Sequence, residues 1–174
     1  MKKDPRGFSL IELLIVVAII LIIAAIAIPN LLRSRIAADQ ASAVGSLRTL
    51  NTAEVTYSTT YNTGYSSTLA DLGPPAANGS PTASYAGLVD EVLSGIGSAG
   101  GTATTANTSS KSGYTFVYSP AATDTSGKID FYSFTASPIS VGTTGTNFYY
   151  TDQSAVVRQN STAMAGSSDS PLAG

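Results

Sequence analysis

Residues 7–30 read GFSLIELLIVVAIILIIAAIAIPN, an almost purely apolar stretch near the start of a chain of 174 residues. From Phe8 to Ile28, only Ser9 and Glu12 interrupt the apolar side chains. As an α-helix this run would be about 31 Å long, because each residue adds about 1.5 Å. The hydrocarbon core of a bilayer is about 30 Å thick. The stretch therefore predicts a membrane-length helix with one carboxylate near its start.

Residues 1–7, MKKDPRG, carry three basic side chains and one acid. Positive charge before a membrane segment favours placing that end in the cytoplasm. A secretory signal peptide could be cleaved at the small-x-small site Ala25-Ile26-Ala27, but the apolar run of a signal peptide is usually shorter and free of acids. A plain membrane anchor explains the length, although a carboxylate at mid-membrane costs about 2.5–3.5 kcal/mol and less near the interface. A third interpretation is a processing and assembly signal in which the acid is used.

Gly7 directly before Phe8, the sequence Ser9-Leu10-Ile11-Glu12-Leu13 and a long aliphatic helix with Pro29 just beyond it form a specific pattern. This pattern resembles the amino terminus of a type IV pilin or a type II secretion pseudopilin. The resemblance covers roughly the first third of the chain. Members of this family are made as prepilins with a short leader.

The resemblance implies that a prepilin peptidase removes residues 1–7 by cutting between Gly7 and Phe8, and that Phe8 is then N-methylated. Methylation leaves the new amine cationic. It further implies that Glu12 meets the Phe8 amine of a neighbouring subunit during assembly, where low dielectric strengthens the attraction. Phe8 and Glu12 also lie four residues apart on one helical face, so pairing within one subunit stays open.

The sequence predicts one long helix from about Ser9 to Tyr61, bent at Pro29 because proline lacks a backbone donor. Residues 8–29 would be its transmembrane and filament-core half, and the resemblance implies that this helix loosens near Pro29 in a filament. Residues 30–63 would be its amphipathic half, with Gly64 as the stop signal. Apolar positions on one face are expected to meet a folded domain: Ile36, Ala43, Leu47, Leu50, Tyr57 and Tyr61. Glu54 falls in the same arc and should find a tyrosine hydroxyl or a backbone amide.

Residues 64–112 are interpreted as a connecting region with a short helix. Leu69 and Leu72 should anchor a loop, and Ser84 is a candidate cap for a helix whose apolar positions are Tyr85, Leu88, Val89, Val92 and Leu93. The stretch from Gly95 to Ser112 is rich in Gly, Ala, Ser and Thr, which favours a mobile surface loop.

Residues 113–160 are predicted to form an antiparallel sheet of about four strands, with its apolar face on the amphipathic half of the long helix. The expected strands are 114–118, 129–136, 147–151 and 155–159. Residues 161–174 lack apolar pattern and are expected to form a loose tail. The predicted fold class is therefore α+β, and the resemblance implies the pilin fold.

Composition excludes several functional classes. The chain has no cysteine and no histidine, which removes disulfides, thiol nucleophiles and the commonest general base. From Ile36 onward, the chain has four basic and nine acidic residues, so this part of the chain should not bind nucleic acid. Asp124, Asp130 and Asp152 are too scattered to predict a calcium loop. Neither a metal, a cofactor nor an enzymatic activity is expected.

The sequence thus predicts a structural subunit of a type IV pilus. Its expected partners are copies of itself, the prepilin peptidase and the pilus assembly machinery. The precursor should lie in the inner membrane, and the assembled filament should be extracellular at the cell surface. Two alternatives stay open: a pseudopilin of a type II secretion system, and a membrane-tethered binding module whose helix is only an anchor.

Overall fold

The computed structural model describes residues 8–77, 79–98, 100–101 and 107–172. Gly7 and the rest of the predicted leader lie outside the described residues. The chain divides into two compact units, Met1–Arg35 and Ile36–Gly174, and each is described by itself. Helix α1, Leu10–Tyr61, contributes to both units, in agreement with the predicted long helix.

Two residues in the left-handed region follow the end of α1. Asn62 has φ 54° and donates its backbone N–H to the Ser58 carbonyl at 3.1 Å, so the helix ends at Tyr61 as predicted, with Asn62 in place of Gly64 as the first left-handed residue. Asparagine tolerates this conformation because its short polar side chain bonds locally. Gly64 has φ +82° and turns the chain towards Ile129, with which it forms a bridge.

Gly64→Ala is expected to destabilise the folded unit more than Gly127→Ala, measured as free energies of unfolding. Both glycines have φ near +80°, but a Cβ at Gly64 would lie 2.5 Å from the Ile129 carbonyl oxygen, whereas one at Gly127 would meet nothing within 4 Å. Left-handed backbone alone costs a non-glycine residue about 1–2 kcal/mol. Gly127→Ala therefore measures that cost, and equal losses for both variants would contradict the close approach at Gly64.

Five antiparallel strands form one sheet in the order β1-β2-β3-β4-β5. Their bounds are Thr108–Lys111 (β1), Tyr114–Pro120 (β2), Tyr132–Pro138 (β3), Phe148–Asp152 (β4) and Arg158–Asn160 (β5). The predicted α+β class with an antiparallel sheet is confirmed, with five strands instead of about four. The third strand begins at Tyr132, not at residue 129, because the Ile129 carbonyl accepts the Tyr65 N–H at 2.8 Å beyond the end of α1.

The prediction of a mobile loop over Gly95–Ser112 is wrong for residues 108–111. They form β1, which pairs with β2 from Thr108↔Val117 to Lys111↔Tyr114. This strand contains no large apolar residue, so its place in the sheet depends on backbone pairing that composition does not reveal. The sheet therefore begins inside the region predicted to connect helix and sheet.

The predicted helix capped by Ser84 is also wrong. Residues 82–85 form a turn in which the backbones of Thr82 and Tyr85 exchange hydrogen bonds. The helix found here is α2, Glu91–Ser94, capped by Asp90, whose side chain accepts the Leu93 N–H. Val92, expected on the buried face, is 53% exposed.

The core of the second unit joins the later part of α1 to the inner face of the sheet. The predicted face of α1 is confirmed at Ala43, Leu47, Leu50 and Tyr57, which are buried; Ile36 and Tyr61 are half-buried. Leu69 and Leu72 are fully buried in a short 3-10 helix, Leu69–Leu72. The sheet supplies a set of aromatic side chains: Tyr114, Phe116, Tyr118, Tyr132, Phe134 and Tyr149.

The tail is held more firmly than expected up to residue 172. The Leu172 N–H donates to the Val157 carbonyl at 2.8 Å, and the Gln159 N–H donates to the Ser170 carbonyl at 3.0 Å. The Asp169 carboxylate accepts the Asn160 side-chain amide at 3.0 Å. Backbone pairing beside β5 thus orders a segment that has almost no apolar pattern.

Candidate functional site

The first unit presents a continuous apolar surface. From Phe8 to Leu32, the large apolar side chains are 46% to 81% exposed. By length and composition, α1 is able to cross a membrane: an 18-residue window has a mean hydropathy of 3.3, and none of that window is buried within the chain. Soluble monomers rarely expose apolar patches larger than a few hundred Å². This surface therefore needs lipid or another protein as its partner.

The exposed apolar surface extends past the predicted boundary at Pro29. Leu31 is 71% exposed and Leu32 is 53% exposed. Pro29 itself lies inside α1, where it cannot donate a hydrogen bond to the carbonyl four residues before it. The signal for these two leucines was already in the hydropathy of the sequence, because the apolar run resumes for two residues after Asn30.

Glu12 lies in the first turn of α1 and bonds to its own helix. Its Oε2 accepts the Ser9 backbone N–H at 3.0 Å, while the Ser9 carbonyl accepts the Glu12 N–H at 3.1 Å. This is one half of a capping box, with the acid reaching back to an unpaired amide. A carboxylate at this end also interacts favourably with the positive end of the helix dipole. One cause of the acid at this position is therefore local helix capping.

Phe8 is the first described residue and is 78% exposed. The structure places it within one helical turn of Glu12, in agreement with their spacing in the sequence. In this chain its nitrogen is an amide, so the cationic partner proposed for Glu12 would exist only after cleavage. Gly7, the other predicted processing residue, lies outside the described part of the chain.

Glu54, the acid on the apolar face of α1, is fully buried. Its Oε2 accepts the Ser66 N–H at 2.9 Å, and its Oε1 accepts the Ser66 hydroxyl at 2.7 Å. Burial raises the pKa of Glu54, the bonds from Ser66 oppose that rise, and the nearby Asp71 carboxylate adds to it. The expected backbone-amide partner is confirmed, whereas the Ser66 hydroxyl was missed because nothing in the sequence marks one serine among many.

Asp124, Asp130 and Asp152, the acids considered for a calcium loop, are not brought together as a metal site. Asp124 accepts the backbone N–H groups of Ser126 and Lys128, both at 2.8 Å. Among the residues that the structure describes, no three His, Cys, Asp or Glu side chains are grouped so that they could hold a metal ion.

Comparisons with known proteins match the amino-terminal segment. The family model described as the prokaryotic N-terminal methylation motif matches residues 2–28. The type IV major pilin protein PilA of Myxococcus xanthus is 52% identical over 52 residues, which are 30% of this chain and 24% of that protein. The type IV wide pilus major component PilA4 of Thermus thermophilus is 64% identical over 33 residues, which are 19% of this chain and 25% of that protein.

The chain thus spans about a quarter of the length of each of these relatives. No solved structure is significantly similar to it. The matched residues include Gly7, Phe8 and Glu12, the positions that sequence analysis had selected. The amino-terminal segment of this chain is therefore similar to that of type IV major pilins and carries the prokaryotic N-terminal methylation motif.

Proposed function

We propose that this chain is the structural subunit of a type IV pilus. Residues 1–7 are a leader that the prepilin peptidase removes, and residues 8–29 form the transmembrane segment of the precursor and then the filament core. The second unit, which begins at Ile36 and includes most of the predicted amphipathic half, residues 30–63, forms the filament surface. The precursor resides in the inner membrane, and the assembly machinery moves it into an extracellular filament.

One observation carries this proposal: an exposed apolar helix that has a single carboxylate in its first turn. A lipid-embedded helix needs no acid, and a carboxylate there costs free energy. In a bundle of such helices, the cationic amine of a processed neighbour would offset that cost, because opposite charges attract strongly where water is excluded. Glu12 would then favour one axial register between neighbouring subunits, as buried polar groups do in helical bundles.

The bond from the Ser9 amide to Glu12 supports a defined order of events. Before assembly, the carboxylate is satisfied by its own helix, which lowers the cost of keeping it near the membrane interface. Cleavage before Phe8 then creates a second, charged donor. An ionic hydrogen bond is roughly twice as strong as a neutral one, so the amine should compete well with the backbone amide.

The intact mass of the protein purified from its native membrane tests the processing step. We expect the mass of residues 8–174 plus one methyl group, and we expect Gly7→Val to leave the leader attached. A mature chain that still begins at Met1, or one cut near Ala27, would overturn the proposed processing. The Gly7→Val variant also provides the mass standard for the unprocessed form.

The pilus is favoured over the secretion pseudopilus because both matched relatives are named as major pilus components. Those relatives are structural proteins, which agrees with a non-enzymatic role. A membrane-tethered binding module would need the apolar helix only as an anchor, and the consequences of changing Glu12 separate that alternative from a polymer subunit.

A further inference from the structure

A buried group of oxygen atoms joins α1, the segment that follows it, and β2. Its side chains are Glu54 from α1, Ser66 from the segment after α1, and Tyr118 from β2. All three are 2% exposed or less. Three contacts between oxygen atoms connect them. Ser66 Oγ lies 2.7 Å from Glu54 Oε1 and 3.2 Å from Tyr118 Oη. Tyr118 Oη lies 2.7 Å from the Ser66 carbonyl oxygen.

Each of these contacts needs one proton. If Glu54 is ionised, the group has only two hydroxyl protons, one on Ser66 and one on Tyr118, for three contacts. The Ser66 hydroxyl cannot serve Glu54 and Tyr118 together, so one contact would face lone pair against lone pair. The Tyr118 hydroxyl also bonds to the Glu54 carboxyl and, like the Ser66 groups, opposes the rise in the Glu54 pKa that burial causes. If Tyr118 uses its one proton there, its contact with the Ser66 carbonyl is left without a proton.

A proton on Glu54 Oε1 completes the set. Glu54 then donates to Ser66 Oγ, the Ser66 hydroxyl donates to Tyr118 Oη, and Tyr118 donates to the Ser66 carbonyl. The Ser66 N–H still donates to Glu54 Oε2 at 2.9 Å. Each of the three contacts then carries one proton, so the 3.2 Å approach of Ser66 Oγ to Tyr118 Oη is also a hydrogen bond.

The charged and titratable groups around Glu54 favour the same state. The groups placed to donate to the carboxyl are the N–H and the hydroxyl of Ser66 and the hydroxyl of Tyr118, and all three are neutral. Asp71, after α1, interacts with it as a like charge. Tyr57 on α1 and Tyr132 on β3 also interact with it electrostatically, and burial raises the pKa of both tyrosines, so they stay uncharged at neutral pH. Among the described residues, none of the groups that shift the Glu54 pKa most is a cation, and a buried carboxyl without a cationic partner favours its neutral form.

We propose that Glu54 is a neutral carboxylic acid that donates a hydrogen bond to Ser66 Oγ, and that loss of its proton loosens the junction between α1 and β2. The junction then acts as a pH-dependent clamp within the subunit. It holds most tightly in mild acid and weakens once the proton is released. This inference concerns the folded unit alone and is independent of the proposed role in a filament.

Carbon-13 NMR of the full-length chain in a neutral detergent, labelled at glutamate carboxyls, tests the protonation state. The chain contains three glutamates, Glu12, Glu54 and Glu91, so Glu12→Gln and Glu91→Gln assign two signals and leave the third for Glu54. We expect the Glu54 signal to titrate above the ordinary glutamate value of about 4.3. A signal that titrates at or below the ordinary value would overturn the proposal.

Glu54→Gln tests the clamp, because a side-chain amide can donate to Ser66 Oγ and accept the Ser66 N–H as the neutral acid does. The relevant pH range lies between the pKa of Glu54 in the unfolded chain, about 4.3, and its higher pKa in the folded chain. Within this range, each pH unit should raise the unfolding equilibrium constant of the wild type by up to about tenfold more than that of Glu54→Gln. Glu91→Gln, on the exposed start of α2, should follow the wild type. A constant ratio between wild type and Glu54→Gln across this range would contradict the clamp, and the NMR titration of the wild type decides the protonation state even if Glu54→Gln does not fold.

Discussion

Glu12→Gln is expected to leave membrane insertion and leader removal intact while it abolishes filament assembly. The amide still accepts the Ser9 N–H, so the first turn of α1 keeps its cap, but the charge that would meet the Phe8 amine is gone. Removing one partner of a buried ion pair costs about 3–5 kcal/mol, because the other charge stays uncompensated. Such a loss weakens each subunit contact by at least about a hundredfold.

The measurement is electron microscopy of sheared filaments, with the mass of the membrane-bound protein determined in parallel. Glu91→Gln, which removes an exposed acid from the folded unit, is the matched control and should assemble normally. Filaments of normal number and length from processed Glu12→Gln protein would show that the charge pairing is wrong. A wild-type protein that is inserted in the membrane but never found in filaments would instead favour a membrane-tethered module, for which the acid has no use.

Phe134→Ala is expected to cost about 3–5 kcal/mol of unfolding free energy, the range for removing a buried phenylalanine side chain. Phe134 in β3 is fully buried. Its ring centroid lies 4.7 Å from that of Tyr118 and 5.5 Å from that of Tyr132, the second pair meeting edge to face. Because whole domains are stable by only about 5–15 kcal/mol, this single change should bring the folded unit close to unfolding.

Denaturant unfolding followed by tyrosine fluorescence measures the loss, since the chain has no tryptophan to mask that signal. Phe131→Ala is the matched control, with the same side chain removed from a position that is 60% exposed. Surface changes of this kind usually stay within about 0.5 kcal/mol. Similar losses for both variants would contradict the position of the core on the inner face of the sheet.

The amino-terminal site was predictable because its residues are contiguous. Phe8, Ser9 and Glu12 lie within one helical turn, and the apolar run after them is long enough to define a helix without other parts of the chain. The capping bond from Ser9 to Glu12 joins residues at the same short spacing. The sequence did not specify that bond in advance, since a partner on another subunit was equally compatible with the pattern.

The connecting region was predicted poorly, and the reason is physical. The residues of β1 are small and polar, and they become a strand because β2 offers a row of backbone partners. In the same way, Asp90 caps α2 in place of Ser84, since the segment before it bonds to the backbone near Leu72 and cannot be helical. Short polar elements depend on distant partners more than on their own propensity.

Hydropathy and periodicity along the chain were sufficient for the long helix, the exposed apolar surface and the inward face of α1, because these depend on neighbours three or four residues away. Strand β1, the order of the tail beside β5 and the partner of Glu54 required the folded arrangement. Ser66 and Tyr118 are 52 residues apart and meet only when the sheet lies on the helix. A helix depends on residues close together in sequence, so the sequence predicts it. The hydrogen-bond partners of a buried acid come from distant segments and are fixed only when the whole unit is packed.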